Sequence, residues 1–188
     1  MANSHILSVL RQAHFDGLAK LKVLQDLVDE LNAGELDSVR TRLLEVMPFF
    51  EKELPLHFRH EEEVLYPALR RFLAGPGPIL IDGAAPDLCS LLFCEDLCQR
   101  LGPLTMYLRD HQILYECIQN LIGMAHQSAQ PTETDGDWAR QVMHAIVSVQ
   151  WQLGSHIAKE NEVLLPKAEE VLSPKVLLKL GRAAENLS

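Results

Sequence analysis

Two stretches of the sequence decide the fold: HFRHEEEVLYP at residues 57–67 and HIAKENEVLLP at residues 156–166. Both contain a histidine, a glutamate four residues later, a second glutamate six residues later, and a closing proline. A His-xxx-Glu pair alone is weak evidence, because eight histidines in this chain give about one such pair by chance. Six matches at one spacing indicate an internal repeat. The matched positions are His57/His156, Glu61/Glu160, Glu63/Glu162, Val64/Val163, Leu65/Leu164 and Pro67/Pro166.

Around this repeat, apolar residues recur at helical spacing and almost nothing alternates as a strand would. The pattern predicts long helices over about residues 4–33, 36–73, 103–128 and 137–172. Four long helices with short turns within each hairpin predict an all-α, up-down-up-down four-helix bundle. The 188 residues are expected to form one domain, residues 1–188, with its core at about 5–172.

Prolines and glycines punctuate this pattern. Pro48 and Pro55 lie inside the second helix and predict kinks or a break there, because each removes a helical hydrogen bond. An extra short helix is expected within the connection at 75–102. A short C-terminal helix is also expected, with Ser173 as its N-cap and Pro174 at its first position.

The spacing of two further histidines relates them to the repeat. His14 precedes His57 by 43 residues, and the midpoint between the two lies in the predicted turn at 34–37. His111 precedes His156 by 45 residues, and the midpoint between the two lies in the turn of the other hairpin. Residues equidistant from a helical hairpin turn lie side by side, because both helices rise about 1.5 Å per residue. Four histidines and two glutamates are therefore expected at one depth of the bundle.

Such a group has the composition of a metal site. A histidine and a glutamate at i and i+4 share a helix face. Buried carboxylates without partners are costly, and a metal ion removes that cost. Four imidazoles and two carboxylates suit two ions, with each glutamate bridging. The donor set favours iron, with zinc and manganese as alternatives, and leaves positions at which O₂, NO or a peroxide can bind.

On these residues the chain resembles the hemerythrin-like, or HHE cation-binding, domain family. The resemblance covers about residues 5–172. It implies a four-helix bundle holding a carboxylate-bridged, often oxo-bridged, non-haem di-iron centre. Members of this family include O₂ carriers, oxygen, redox or iron sensors, and iron–sulfur repair proteins that respond to nitric oxide. The residues matching the family's metal ligands are His14, His57, Glu61, His111, His156 and Glu160.

One departure from the family pattern concerns the third helix. O₂-carrying hemerythrins have an additional histidine one turn from the third-helix ligand, and Tyr107 and Tyr115 occupy those places here. This difference favours the more symmetric site of the repair proteins over reversible O₂ carriage. The cysteine-bearing N-terminal segment of many repair proteins is not found before His14. Residues expected to support the ligands are Tyr107, Tyr115, His60, Glu53 and Gln152, whereas Glu62 and Glu63 are predicted to be solvated helix.

Composition restricts the other functional classes. A net charge of −9 without a basic stripe argues against a nucleic-acid surface. No apolar run approaches the length that spans a membrane, and no signal peptide is recognised. Four cysteines without a CxxC pair predict a cytoplasmic protein. Cys89, Cys94 and Cys98 have no assigned role.

Three functions compete at this point. The first is a di-iron protein that binds or senses a small diatomic, iron or redox state. The second is a di-iron enzyme that consumes NO or peroxide or takes part in iron–sulfur repair. The third is a metal-free helical interaction module, with the PILI stretch at 78–81 and the cysteine segment as a partner or homodimer surface. The first is preferred, because the ligands are visible and no general acid or substrate pocket is.

Overall fold

Long helices account for the regular structure of the chain. The computed structural model describes residues 6–73, 104–127 and 135–187, and within those ranges there is no strand. We number the helices α1 to α5 in chain order. They are α1 (Ile6–Ala33), α2 (36–73), α3 (Leu104–Gln127), α4 (135–171) and α5 (Pro174–Glu185). The predicted short helix within 75–102, including Cys89, Cys94 and Cys98, lies outside the described residues.

A tight glycine turn joins α1 to α2. Gly34 has a φ of +81°, a left-handed conformation that glycine adopts without steric cost. The Gly34 amide donates to Leu31 O, and the Glu35 amide donates to Glu30 O. These two bonds form the glycine C-cap that satisfies the last carbonyls of a helix. The chain therefore reverses within two residues, and α2 returns antiparallel to α1.

The four long helices form a ring in which each packs mainly against two neighbours, in the order α1, α2, α3 and α4, and the far ends of α2 and α4 also meet. The α1 and α4 helices approach closely at glycines. A Cβ added to Gly17 would lie 3.2 Å from Ile157 Cδ1, and one added to Gly154 would lie 3.6 Å from Leu21 Cδ1. The predicted up-down-up-down four-helix bundle is thus confirmed.

Kinks or a break were predicted at Pro48 and Pro55, and α2 continues through both prolines without a break. The helix widens instead into π-helical turns at Phe49–Glu53 and His60–Leu65, and α4 has a third at Glu160–Leu164. The residue after each π turn donates its amide five residues back, as in Tyr66 to Glu61 O. A proline follows directly in every case. Because proline has no amide proton and its ring displaces the carbonyl four residues earlier, one extra residue in the turn accommodates it.

Two apolar cores lie on either side of a polar layer in the bundle. The turn-side core lies toward the Gly34 turn and includes Leu24, Leu43, Leu114 and Val149. The terminal core lies toward the opposite end and includes Leu7, Leu69, Leu165 and Leu177. The residues between the cores are the predicted histidines and glutamates. They are positioned by packing on both sides.

The short helix α5 covers the terminal core. Ser173 is its N-cap, with Oγ accepting from the Val176 amide, and Pro174 occupies its first turn, as predicted. α5 packs against α1 and against the second π turn of α2. Among the described helices, none combines the length and apolar character needed to cross a membrane.

Candidate metal centre

Six buried side chains meet in the polar layer, one from each of α1 and α3 and two from each of α2 and α4. The level pairing predicted from the turns is observed. The rings of His14 and His57 lie 4.9 Å apart, and those of His111 and His156 lie 4.7 Å apart. Each of the six is at most 5% exposed: His14, His57, Glu61, His111, His156 and Glu160.

Glu61 links the two histidine pairs. Its Oε1 lies 3.2 Å from His57 Nε2 and its Oε2 lies 3.1 Å from His111 Nε2. The two oxygens therefore face opposite halves of the layer. A carboxylate in this position can donate one oxygen to each of two ions.

Glu160 approaches both halves through one oxygen. Its Oε2 lies 3.0 Å from His14 Nε2 and 3.4 Å from His156 Nε2. The six residues thereby form two groups of four that share both glutamates. Within each group, the ligand atoms all lie within 4.8 Å of one another. The first group is His14, His57, Glu61 and Glu160, and the second is Glu61, His111, His156 and Glu160.

The hydrogen-bond roles in this layer indicate a cation. His111 Nδ1 lies 2.6 Å from Glu62 Oε1 and must donate to that carboxylate, so its Nε2 carries a lone pair toward the centre. His14 Nδ1 lies 2.8 Å from Asn161 Oδ1, and its Nε2 faces Glu160 Oε2 at 3.0 Å. At His111 a bare imidazole nitrogen faces a carboxylate oxygen, Glu61 Oε2, at 3.1 Å. Neither oxygen of Glu61 has a hydrogen-bond partner among the described residues. Acceptors without donors, fully buried, are a chemical fit for metal ions.

The pKa shifts in the layer reflect the same excess of buried acceptors over donors. Burial and the charge of Glu160 raise the pKa of the Glu61 carboxyl well above its ordinary value. Burial also acts on Glu160, but its hydrogen bond with His14 and the charge of His156 outweigh that effect and lower its pKa. Burial and the neighbouring His14 lower the pKa of His57 well below 6.5. A neutral His57 has the protonation state that metal binding requires.

Two residues outside the six orient histidines across the bundle. Glu62, from α2, contacts His111 of α3, and Asn161, from α4, contacts His14 of α1. The prediction that Glu62 is solvated helix is therefore wrong. It lies one residue beyond Glu61, and the π turn carries it far enough around to contact α3. Glu63 is exposed and pairs with Arg59, in agreement with its predicted solvation.

The most informative residue that sequence reasoning missed is Tyr66. It is buried, and its hydroxyl donates to Glu160 Oε1 at 2.8 Å and lies 3.4 Å from His111 Nε2. The π turn positions it, because the residue five after Glu61 then lies over the Glu61 face. A signal was available. Tyr66 is the one difference within the closing EVLYP of this stretch, because the copy reads EVLLP with Leu165 in that place.

The supporting residues that the sequence predicted lie elsewhere. Tyr107 is buried, and its hydroxyl donates to Lys159 O at 3.5 Å. Tyr115 packs edge-on against Phe58, which in turn stacks on His111. Both tyrosines therefore contact the layer through ring packing, and neither hydroxyl donates to the two glutamates among the described contacts.

The remaining three predicted supporting residues do not reach the two groups of ligand atoms. His60 is buried, but it turns toward α5, where it hydrogen-bonds to the backbone of Ala184. His60 comes three residues after His57 and one before Glu61, so it lies off the helix face that those two residues share. Glu53 is exposed and Gln152 is half-buried. Within the described part of the chain, neither makes a hydrogen bond to the six residues.

Replacing Tyr66 by phenylalanine is expected to lower the free energy of unfolding of the metal-free protein by about 1–3 kcal/mol. The reason is that a buried carboxylate oxygen of Glu160 then loses its donor. Urea denaturation measures the change. Tyr107→Phe is the matched control and should cost less, since its hydroxyl contact is long and its acceptor is a neutral carbonyl. Equal losses in the two variants would contradict the role given to Tyr66.

Comparison with known proteins agrees with this geometry. Residues 5–81 match the family model described as the Hemerythrin HHE cation binding domain. The resemblance predicted from the motifs is confirmed over that segment, which contains His14, His57 and Glu61. No curated protein and no solved structure matches the chain. The three remaining residues of the layer lie beyond the matched segment, and the internal repeat and the structure relate them to the first three.

Proposed function

We propose that this protein is a non-haem di-iron protein that binds or senses a small diatomic molecule, O₂ or NO, or the state of the iron itself. One observation carries the proposal: two groups of four buried ligand atoms share Glu61 and Glu160. Such sharing supports two adjacent ions joined by carboxylates. The coarser conclusion, a helical protein with a metal site, follows from the family match and these buried groups.

The choice of iron rests on the donors. Each group offers two imidazoles and two carboxylates and no thiolate. Nitrogen and oxygen donors of this kind suit iron, manganese or zinc, whereas soft thiolate ligands select other centres. Four protein donors leave open positions on a six-coordinate ion. When bound, iron would supply redox chemistry and exchangeable positions for a small ligand.

The surroundings of the layer support a ligand of diatomic size. The six residues are nearly fully buried between two apolar cores, and Phe58 and Tyr66 close the space around His111. Such walls exclude bulk water and leave little room beside the metals. The residues of the chain bind and orient the ions, and Tyr66 can hold a proton at its hydroxyl within reach of the layer.

The metal-free interaction module is disfavoured by energetics. Without a cation, Glu61 has two buried oxygens that lack partners among the described residues. Leaving a buried charge uncompensated costs several kcal/mol. A protein that only bound a partner through its surface would not need to bury these carboxylates.

Metal analysis and optical spectroscopy test the proposal. The protein is purified, reconstituted with Fe(II) under argon, and exposed separately to O₂ and to NO. We expect about two irons per chain and a change of the visible spectrum with at least one gas. Metal content near zero after reconstitution would refute a metal protein. Two bound irons with spectra unchanged by either gas would refute diatomic binding. Continuous consumption of NO or peroxide would show an enzyme instead.

Acid should release the metal. A histidine must be neutral to ligate, and its ordinary pKa is 6.5. Burial lowers the pKa of His57 and His111, so these rings are neutral at pH 7 in the folded apoprotein. The unfolded chain binds their protons first as the pH falls below about 6.5, so both histidines make acidification destabilising. We expect metal content, measured after dialysis at pH 7 to 4.5, to fall with pH.

Circular dichroism recorded on the same samples distinguishes metal release from unfolding. Metal loss should begin while the helical signal is still that of the protein at pH 7. A metal content that stays constant over this range would contradict histidine ligation.

A further inference from the structure

The two histidine pairs are equivalent in the repeat but differ in what stands behind them. His14 and His111 correspond, and so do Asn161 and Glu62, the residues that accept from their Nδ1 atoms. The contact is 2.8 Å to a neutral amide oxygen at His14. It is 2.6 Å to a carboxylate oxygen at His111. The corresponding residues Glu62 and Asn161 therefore place a negative charge behind His111 and none behind His14.

The second histidine of each pair shows the same difference. His156 Nδ1 lies 3.8 Å from Asp110 Oδ2, close enough for its charge to act, and Lys159 holds that carboxylate at 2.7 Å. The position corresponding to Asp110 in the first hairpin is Ala13. Neither His57 Nδ1 nor His156 Nδ1 has a hydrogen-bond partner among the described residues, so the difference between the two is the carboxylate charge of Asp110 near His156. On the Nδ1 side, both histidines of the second half therefore have a nearby carboxylate, and among the described residues no contact gives one to His14 or His57.

We propose that the two metal positions are unequal, with the His111–His156 position holding its ion tightly and the His14–His57 position holding an exchangeable ion. The inference rests on the proposed function, since it concerns the same six ligands. A carboxylate behind an imidazole fixes its orientation and makes its other nitrogen a stronger donor, and loss of such a partner weakens metal binding about 10–100-fold. The structure supplies this support to one half alone. The ion in the other half is the one that is lost, sensed or exchanged.

The experiment titrates the metal-free, full-length protein with Co(II), which reports on coordination through its visible spectrum and needs no redox control. Isothermal titration and competition with a chelator give the affinities. The wild-type protein should show two steps that differ at least about tenfold. His57→Gln should abolish the weaker step and keep the tighter one, whereas His156→Gln should abolish the tighter one.

Two isosteric substitutions then test the acidic partners directly. Glu62→Gln should weaken the tighter step about 10–100-fold and leave the weaker step unchanged. Asn161→Asp should strengthen the weaker step. Glu63→Gln is the control, because Glu63 lies beside Glu62 but pairs with Arg59 at the surface. A purely structural effect of Glu62→Gln would change both steps together and would overturn the proposal.

The outcomes separate this inference from the proposed function. Equal affinities in the wild type, or loss of the tighter step in His57→Gln, would refute unequal positions while two ions still bind. Binding of a single ion by the wild type would also refute the inference. Absence of Co(II) binding in every variant, together with absence of iron binding, would instead refute the metal protein itself.

Discussion

Replacing Glu61 by glutamine is expected to reduce bound metal from about two ions per chain to less than one. Glu61 is the residue whose two oxygens face different halves of the layer, at 3.2 Å from His57 and 3.1 Å from His111. A single substitution therefore removes a donor from both proposed metal positions. Glutamine retains the shape of the side chain but offers one neutral oxygen, which cannot bridge two cations in the same way.

The same substitution should stabilise the metal-free protein. Burial and the charge of Glu160 raise the pKa of Glu61, so its ionised form is disfavoured in the folded state. A carboxyl with a raised folded-state pKa lowers the free energy of unfolding as pH rises above its unfolded value. At pH 7 glutamine removes that penalty. We expect a gain on the order of 1–3 kcal/mol for the apoprotein, and a loss of metal-dependent stabilisation for the loaded protein.

Urea denaturation of both forms, with metal analysis, measures these opposite changes. Glu63→Gln is the matched control on the same helix, since Glu63 is exposed and pairs with Arg59. It should change neither the metal content nor the free energy of unfolding by more than about 0.5 kcal/mol. A Glu61→Gln apoprotein that is less stable than the wild type would mean that Glu61 has a compensating partner.

Replacing Phe58 by alanine should lower the free energy of unfolding by about 3–5 kcal/mol. Phe58 is 0% exposed and belongs to the turn-side core. Its ring stacks on His111 at 4.2 Å between centroids and meets Tyr115 edge-on at 5.3 Å. Removal leaves a cavity beside His111, a predicted metal ligand. His111 would also lose the surface that fixes its ring plane, so weaker metal binding should accompany the loss of stability.

Phe15→Ala is the control for this variant. Phe15 is 69% exposed on α1, one residue after a ligand as Phe58 is, and its removal should change the free energy of unfolding by at most about 0.5 kcal/mol. Phe58→Leu keeps most of the volume and should recover part of the stability but less of the ring orientation. Similar losses in the Phe15 and Phe58 variants would contradict the position of Phe58 in the core.

The sequence was sufficient to bring six residues together because helical hairpins are geometrically simple. Equal distance from a turn means equal height, so the positions of two turns were enough to align His14 with His57 and His111 with His156. The repeat then related the two hairpins. Only the existence of the turns and the helical rise entered this inference, and both are robust to small errors in helix boundaries.

Contacts that depend on rotation about a helix were not predictable in the same way. Glu62 was expected to be solvated, and Tyr66 was not identified, because an ideal α-helix places neither where the structure does. Both follow the start of a π turn. Pro67, which follows this turn, is visible in the sequence, but kinks or a break were predicted only at Pro48 and Pro55. A widened turn is a third response to the same missing amide proton.

The other differences between predicted and observed residue positions depend on long-range packing. His60 was expected near the ligands, and it turns instead toward α5, whose position against α2 no local pattern specifies. Glu53 and Gln152 were expected from their places one turn before each ligand histidine. The structure places Glu53 at the surface and Gln152 only half-buried, and no described hydrogen bond joins either residue to the six.

The π turns have one more consequence. An α-helix turns by about 100° per residue, so one inserted residue rotates everything beyond it by about that angle. α2 and α4 each carry such an insertion at the glutamate, at His60–Leu65 and Glu160–Leu164. In α2 and α4, the side chains beyond the polar layer are therefore rotated about the helix axis by about 100° from where an uninterrupted α-helix would place them. The predicted metal ligands lie at this joint, and deleting one residue from either joint would rotate the terminal core away from α5.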